Sequence, residues 1–181
     1  MYHDKKQLGF RMCAYANALG PRLSSVVASE LLLDLIAVLF ALRDQDQVAA
    51  KVGDDGALTF MGMSDAPDTT PAKGLSGSDI VITPDGRFVY SGLRGKPADG
   101  VAGYAVQDNG MLEPIDRTAT DSIPWALGMS PRGDRLFVSA SRAGTLTAFK
   151  IKDDGSLEKE AILKLGKDFW DILVLDVGAG L

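Results

Sequence analysis

The stretch TPDGRFVYSGLRG, residues 83–95, returns in altered form as SPRGDRLFVSASRAG, residues 130–144. Each copy has Ser or Thr followed by Pro at the end of one apolar run, a Gly two residues after the Pro, and then a second apolar run. This is the pattern of a β-hairpin, and its recurrence in a chain of 181 residues predicts a repeat fold.

Other residues recur at a similar spacing. The pairs are Gly110 and Gly155, Trp125 and Trp170, and Gly133 and Gly178, each 45 residues apart, and Pro84 and Pro131, 47 residues apart. Each period is long enough for four short strands, which is typical of a β-propeller blade.

The sequence predicts two complete blades. Their strands are Asp79–Thr83, Phe88–Leu93, Val101–Val106 and Met111–Asp116, then Trp125–Ser130, Arg135–Ala140, Thr145–Ile151 and Ser156–Leu163. Tight hairpins are predicted where Asn or Asp precedes Gly and positive φ is tolerated, at Asp54-Asp55-Gly56, Asp108-Asn109-Gly110 and Asp153-Asp154-Gly155. Four aromatic residues at alternating strand positions are predicted to lie in the core: Phe88, Tyr90, Phe137 and Phe149.

Parts of two further blades flank these. Strands are predicted at Leu35–Leu42, Val48–Val52 and Ala57–Met61, without a clear innermost strand, and Trp170–Leu175 is predicted to begin another blade. The fold class is therefore an all-β partial propeller over residues 31–181, preceded by an unmatched segment, residues 1–30. Pro21 stands at a helix-start position, so a helix over residues 22–43 is an alternative for the N-terminal part.

Charge and composition restrict the partners. The net charge is −5, the pI is near 4.8, and no Lys/Arg run occurs, which disfavours nucleic acid and anionic membranes and leaves small molecules or proteins. The apolar block around Leu31–Leu42 is interrupted by Asp34 and is shorter than the roughly 20 residues needed to cross a bilayer. Cys13 is the single cysteine, so no internal disulfide is expected and the cytoplasm is the predicted compartment.

Several kinds of site are disfavoured. His3 is the only histidine and lies in the unmatched segment, so neither a Ser-His-Asp triad nor a histidine metal site is predicted. The Asp-rich turns lack the spacing of a calcium loop. The sequence therefore predicts no metal and no cofactor.

Three stretches together carry a family resemblance. SDIVITPDGRFVYSGLRG, then VAGYAV with DNGMLEPI, and then IPWALGMSPRGDRLFVSASRAGTLTAFKIKDDGSLEKE resemble the seven-bladed propeller lactonases, the 6-phosphogluconolactonase group that includes fungal carboxymuconate cyclases. The likeness covers about residues 35–178 and is strongest over 78–160. Members of that family are about twice as long, so the resemblance implies a fragment from the middle of such a propeller.

The resemblance also implies where a site would lie. In the family, the innermost strands line a central channel and substrates bind at one mouth of it. The family often reads Asp-Ile-His, Asn-Arg-Gly and Pro-Arg-Asn where this chain has Asp79-Ile80-Val81, Leu93-Arg94-Gly95 and Pro124-Trp125-Ala126. Asp79 and Arg94 are kept, whereas several other polar positions are not.

Lactone hydrolysis needs a base that activates water and a cation or amide donors for the developing oxyanion. Asp79 and Arg94 are the candidate catalytic residues, expected near one channel mouth and outside the core. The structural alternatives are that Asp79 bonds a neighbouring backbone amide and that Arg94 is a solvated loop residue. Trp125, with Trp170, can stack on a ring-shaped ligand or pack between blades, and Arg142 is a further candidate for substrate binding.

Three functions remain open for this sequence. The resemblance implies a lactone hydrolase that opens a sugar lactone to the acid without a cofactor. A non-catalytic propeller that binds a small molecule or protein, and an inactive fragment, are the alternatives. An open propeller exposes the apolar faces of its terminal blades, so self-association is also expected.

Overall fold

A computed structural model describes residues 36–40, 47–52, 58–65, 67, 76–95 and 99–175. These residues contain eleven β-strands and no helix, so the all-β prediction is confirmed. In chain order the strands are β1 (Ile36–Phe40), β2 (Gln47–Val52), β3 (Leu58–Ser64), β4 (Ser76–Ile82), β5 (Phe88–Arg94), β6 (Gly100–Val106), β7 (Leu112–Ala119), β8 (Pro124–Met129), β9 (Arg135–Ala140), β10 (Thr145–Ile151) and β11 (Leu157–Lys164). A search of the same residues finds no helix that could span a membrane.

The strands form three antiparallel sheets in which chain neighbours pair. Blade 1 is β1–β2–β3, blade 2 is β4–β5–β6–β7, and blade 3 is β8–β9–β10–β11. The two complete blades are thus confirmed, with strand ends that differ from the prediction by at most three residues. Because β1 is a strand, a helix running through residue 43 is excluded, and the earlier part of that alternative lies outside the described residues.

One irregularity recurs in the last two strands of every blade. Their pairing shifts between Ala49 and Ala50 in blade 1, between Gly103 and Tyr104 in blade 2, and between Ala148 and Phe149 in blade 3. Each shift leaves one extra residue in the outermost strand: Met61, Ile115 and Glu160. A β-bulge adds one residue to a strand and increases the local twist. Its recurrence at one place shows that the three blades are copies of one unit.

Two of the predicted glycine turns close hairpins. Gly110 and Gly155 have φ angles of 79° and 80°, and their backbone N–H groups donate to the carbonyls of Gln107 and Lys152 at 2.7 and 2.9 Å. The Asp54-Asp55-Gly56 turn lies outside the described residues. The turn chemistry therefore forms as predicted at the two positions that the structure describes.

The main core lies between blades 2 and 3. Eight buried side chains form it: Val81, Phe88, Tyr90, Val101, Leu127, Leu136, Val138 and Phe149. A second core on the other face of blade 2 consists of Val89, Leu93, Ala102, Tyr104 and Leu112. Three of the four predicted core aromatics are confirmed, but Phe137 is only half-buried because it points to the face of β9 opposite Leu136 and Val138.

A hydrogen bond from Tyr90 joins the two complete blades. Its hydroxyl donates to the Gly155 carbonyl at 2.8 Å, and burial is the main reason that the pKa of Tyr90 is raised. Beside it, Arg87 Nη2 donates to the Asp153 carbonyl at 2.8 Å. The third-to-fourth strand turn of blade 3 is therefore fixed by side chains of blade 2.

Residues 170–175 were predicted to be a strand, and the structure places them beside β8 without a strand pairing. A side chain at Gly128 would overlap Ile172 and Val174, whose Cγ2 atoms lie 2.6 and 2.9 Å from the Cβ position. These two residues are half-buried and their neighbours are exposed. The segment therefore packs on the inner strand of blade 3 with the alternation of an extended chain.

The chain turns in the same way before each tryptophan of the repeat. Ile123 and Asp168, each two residues before Trp125 and Trp170, have φ angles of 60° and 68°. Ser141 links the two turns, since its N–H donates to the Ile123 carbonyl at 3.0 Å and its carbonyl accepts from Asp168 N–H at 3.3 Å. The equivalence of Trp170 to Trp125 thus extends to the backbone.

Positive φ at Ile123 should cost stability. For a β-branched residue the left-handed region is unfavourable by about 1–2 kcal/mol, whereas Asn tolerates it. We expect Ile123→Asn to leave the free energy of unfolding unchanged or to raise it by up to about 1 kcal/mol. In urea denaturation the control Ile151→Asn, at a half-buried strand position, should lose about 1–3 kcal/mol, and an equal loss at Ile123 would refute the assignment of strain.

Candidate functional site

Arg94 is the last residue of β5 and pairs with Ser76 at the start of β4. Its Nη2 donates to the Gly77 carbonyl at 2.7 Å, and its guanidinium carbon lies 4.4 Å from the ring centroid of Trp125. The Nε is buried without a hydrogen-bond partner, and burial lowers the pKa of Arg94. The residue is therefore a half-buried cation that is held over the indole of the next blade.

Trp125 connects this cation to a second indole. Its ring centroid lies 4.8 Å from that of Trp170, with an interplanar angle of 83°, which is an edge-to-face contact. Trp125 is half-buried, whereas Trp170 is exposed. The three side chains form a row, the Arg94–Trp125–Trp170 cluster, in which Trp125 packs between blades and Trp170 keeps much of its surface open.

Asp79 lies at the irregularity in β4, where the pairing with β5 shifts between Gly77 and Ile80. Its Oδ1 accepts from the N–H of Ile80 at 2.9 Å, and its Oδ2 accepts from the N–H of Leu127 in blade 3 at 2.9 Å. The structural alternative for Asp79, a bond to a neighbouring backbone amide, is thus observed. The carboxylate anchors β8 to β4.

Asp79 and Arg94 do not share one strand end in the way that the sequence predicts. Because β4 begins at Ser76, Asp79 lies near the middle of that strand, whereas Arg94 stands opposite its first residue. Both nevertheless contact β8, Asp79 through Leu127 and Arg94 through Trp125. The two candidates therefore converge on one strand of blade 3.

Arg142 is not part of this cluster. It is exposed in the turn between β9 and β10 and makes no hydrogen bond, ion pair or ring contact with another described residue. Ile80 pairs with Ser91 as Leu127 pairs with Val138, so the first two strands of the blades correspond at a spacing of 47 residues. By that register the counterpart of Arg94 is Ser141.

One serine near the cluster is not predicted from the sequence. Ser78 Oγ is buried without a hydrogen-bond partner, like Arg94 Nε. Ser78 Oγ fills the space that a side chain at Gly92 would take, and the Pro124 carbonyl approaches the same point. A serine within a strand has no distinguishing signal in the sequence, so only the contact between β4, β5 and β8 reveals this group.

No group of three or more His, Cys, Asp or Glu residues that could hold a metal ion occurs in the described part of the chain. The single histidine, His3, lies outside that part. The polar side-chain groups described at the site are thus the Arg94 guanidinium, the Asp79 carboxylate and the Ser78 hydroxyl.

The chain is similar to one protein family and to several solved structures. The family model described as lactonase, 7-bladed beta-propeller, matches residues 44–165. A candidate 6-phosphogluconolactonase from Bacteroides fragilis is 28% identical, with 73% of this chain and 36% of that chain covered and a TM-score of 0.66. A second candidate from Bacteroides uniformis is 27% identical, with 72% and 38% covered and a TM-score of 0.66.

The periplasmic gluconolactonase of Pseudomonas aeruginosa shares the fold at 21% identity, with 74% of this chain and 38% of that chain covered and a TM-score of 0.66. This chain therefore spans less than two fifths of the length of these three proteins. A search of curated proteins finds no match.

Proposed function

The chain belongs to the family of seven-bladed β-propeller lactonases, and on that basis we propose that it opens a sugar lactone to the corresponding acid. The proposed reaction is hydrolysis in carbohydrate metabolism, with no cofactor, and the single cysteine supports a cytoplasmic location. The observation that carries the proposal is the half-buried Arg94 guanidinium, whose Nε has no partner, on the face of Trp125.

Arg94 supplies the charge that the reaction needs. Water adds to the lactone carbonyl carbon, the carbonyl oxygen becomes an oxyanion, and the bond from that carbon to the ring oxygen then breaks. A cation in a partly dehydrated site stabilises the oxyanion more than a solvated one does. The ring oxygen, which stays on the opened chain, takes up the proton that the base removed from the water, and the product is a hydroxy acid.

Asp79 is the proposed base that takes a proton from the attacking water. Its two oxygens accept the N–H groups of Ile80 and Leu127, which hold the carboxylate in a fixed orientation beside β8. The open indole of Trp170, next to Trp125, is the proposed surface on which the apolar face of the sugar ring stacks. Arg142, exposed at a neighbouring turn, is proposed only as a peripheral contact for an anionic substituent.

A binding module without catalysis is the second candidate. Val81 and Leu93 occupy the positions where the family resemblance leads one to expect His and Asn, and both are buried in the two cores. Apolar side chains at these places remove polar groups that a catalytic site would use. A propeller of this kind can hold a sugar lactone or sugar acid on the Arg94–Trp125–Trp170 cluster without turning it over.

The test is a pH-stat assay of the purified chain with gluconolactone and with its 6-phosphate, corrected for spontaneous hydrolysis. If the chain is a lactonase, Arg94→Ala should lower kcat/KM by about 100-fold, the usual cost of removing one oxyanion-stabilising group. The matched control Arg132→Ala, at an exposed arginine in the turn between β8 and β9, should retain nearly the full rate.

Full activity in Arg94→Ala would contradict the assignment of Arg94. Binding of the sugar acid without turnover, measured by calorimetry and weakened by Arg94→Ala, would instead support the binding module. If the chain neither hydrolyses the lactones nor binds the sugar acid, both candidate functions are wrong for this chain.

A further inference from the structure

Blade 1 contains the second, third and fourth strands of the repeat. Ile36 pairs with Lys51 as Phe88 pairs with Ala105, and the bulge in β3 beside the partner of Ala49 matches the bulge in β7 beside the partner of Gly103. β1 is therefore the counterpart of β5, not of the inner strand β4. No described residue pairs with the other edge of β1.

Residues 170–175 complement blade 1, because they correspond to an inner strand without the other three strands of its blade. Asp171 Oδ1 accepts from the N–H of Ile172 at 2.8 Å, as Asp79 Oδ1 accepts from the N–H of Ile80 at 2.9 Å. The tryptophan and the positive-φ residue before it also repeat those at the start of β8. The segment thus occupies the inner-strand position beside blade 3, and no described strand pairs with it.

The outward side chains of this segment are large and apolar. Leu173 is 81% exposed and Leu175 67%. An unpaired extended segment with such side chains is a site where another strand adds, since pairing buries the apolar surface and satisfies backbone groups.

We propose that residues 170–175 of one copy of this chain pair with β1 of a second copy and complete its blade 1 as the inner strand that the described residues of blade 1 do not supply. Within one copy the two edges stand apart, because blade 1 adjoins blade 2 and the segment packs on the far side of blade 3. The contact is therefore between copies and head-to-tail, with a different surface on each partner.

The repeat predicts the register of this pairing. In blade 2, Ile80, Val81 and Ile82 pair with Ser91, Tyr90 and Val89. The corresponding pairs between copies are Ile172 with Leu39, Leu173 with Val38, and Val174 with Ala37. The strands match in length, since β1 has five residues and the segment has six.

Disulfide cross-linking tests this register. Directly opposed residues of an antiparallel pair have Cα atoms about 4.5–5.5 Å apart, within the range of a disulfide. Two proteins are made on a Cys13→Ser background, one with Val38→Cys and the other with Leu173→Cys, and they are mixed and oxidised. We expect a covalent product of twice the 19.2 kDa chain mass on a non-reducing gel.

A matched control uses Leu165→Cys in place of Leu173→Cys. Leu165 is 53% exposed but lies outside the segment, so its cross-linking to Val38→Cys should be at least about tenfold weaker. Equal yields from the two cysteines would overturn the proposed register.

Light scattering tests the association itself. The unmodified chain should have a mass that is a multiple of 19.2 kDa, and Leu173→Asp should shift it to the monomer because a charge would be buried in the new sheet. Phe60→Asp, at an exposed position on β3, should leave the mass unchanged. A monomeric unmodified chain that forms no cross-link would refute the proposal and would mean that residues of the same chain, or no residues, cover β1.

Discussion

Gly155→Ala is expected to lower the free energy of unfolding by about 2–5 kcal/mol. Gly155 has φ of 80°, where an L-residue costs about 1–2 kcal/mol. An added Cβ would also lie 2.5 Å from Phe88 Cδ1 and 2.6 Å from Ile115 Cδ1, in the core between the blades. Overpacking of this kind costs about 1–3 kcal/mol more. Urea denaturation followed by indole fluorescence measures the loss.

Gly86→Ala separates the two contributions. Gly86 also has positive φ, at 74°, but no atom lies within 4 Å of its Cβ position. Its replacement should therefore cost only the conformational part, about 1–2 kcal/mol. Equal losses at the two glycines would show that blade 3 shifts to accommodate the methyl group and that the contact between the blades is softer than its geometry implies.

Asp79→Asn should affect stability and, if Asp79 is the base, the reaction. The carboxylate accepts two backbone N–H groups, whereas an amide side chain can offer only one oxygen to them. One N–H then faces a donor, and leaving a buried donor unpaired costs about 1–3 kcal/mol. Loss of a general base would lower the rate by about 100-fold or more. The free energy of unfolding and the hydrolysis rate are measured on the same sample.

Asp171→Asn is the matched control for stability. Asp171 accepts the N–H of the next residue as Asp79 does, but it is exposed, so the loss should stay within about 0.5 kcal/mol. A rate for Asp79→Asn that falls only with the fraction of folded protein would assign Asp79 a purely structural role. A rate that falls in fully folded protein would support the base.

Much of the architecture can be predicted from local sequence. Glycines after Asp or Asn determine where the hairpins turn, and alternating apolar residues determine the strands between them, because both effects act within a few residues. The bulge at Ile115 in β7 is not predictable in this way. It depends on how β6 aligns with β7, which no short stretch encodes.

The candidate site was predicted less completely, since it depends on contacts between blades. Asp79 and Arg94 were singled out, yet the bond from Leu127 N–H to Asp79 and the stacking of Arg94 on Trp125 follow only from the placement of β8 against β4 and β5. The register shows in turn that Ser141, not Arg142, corresponds to Arg94. Arg142 looks like the counterpart of Arg94 in the sequence, but it lies one residue beyond the structurally equivalent position.

The hydrogen bond from Tyr90 to Gly155 has a geometric consequence when it is considered with that of Asp79. Asp79 ties the inner strands of blades 2 and 3 together, and Tyr90 reaches a turn between the two outer strands of blade 3. One contact joins the inner strands and the other joins the outer part of the two blades. Together they fix the angle between the two sheets. The angle between neighbouring blades determines how many blades close a ring, so that number depends on contacts within each pair of blades. Tyr90→Phe would remove the outer contact between blades 2 and 3.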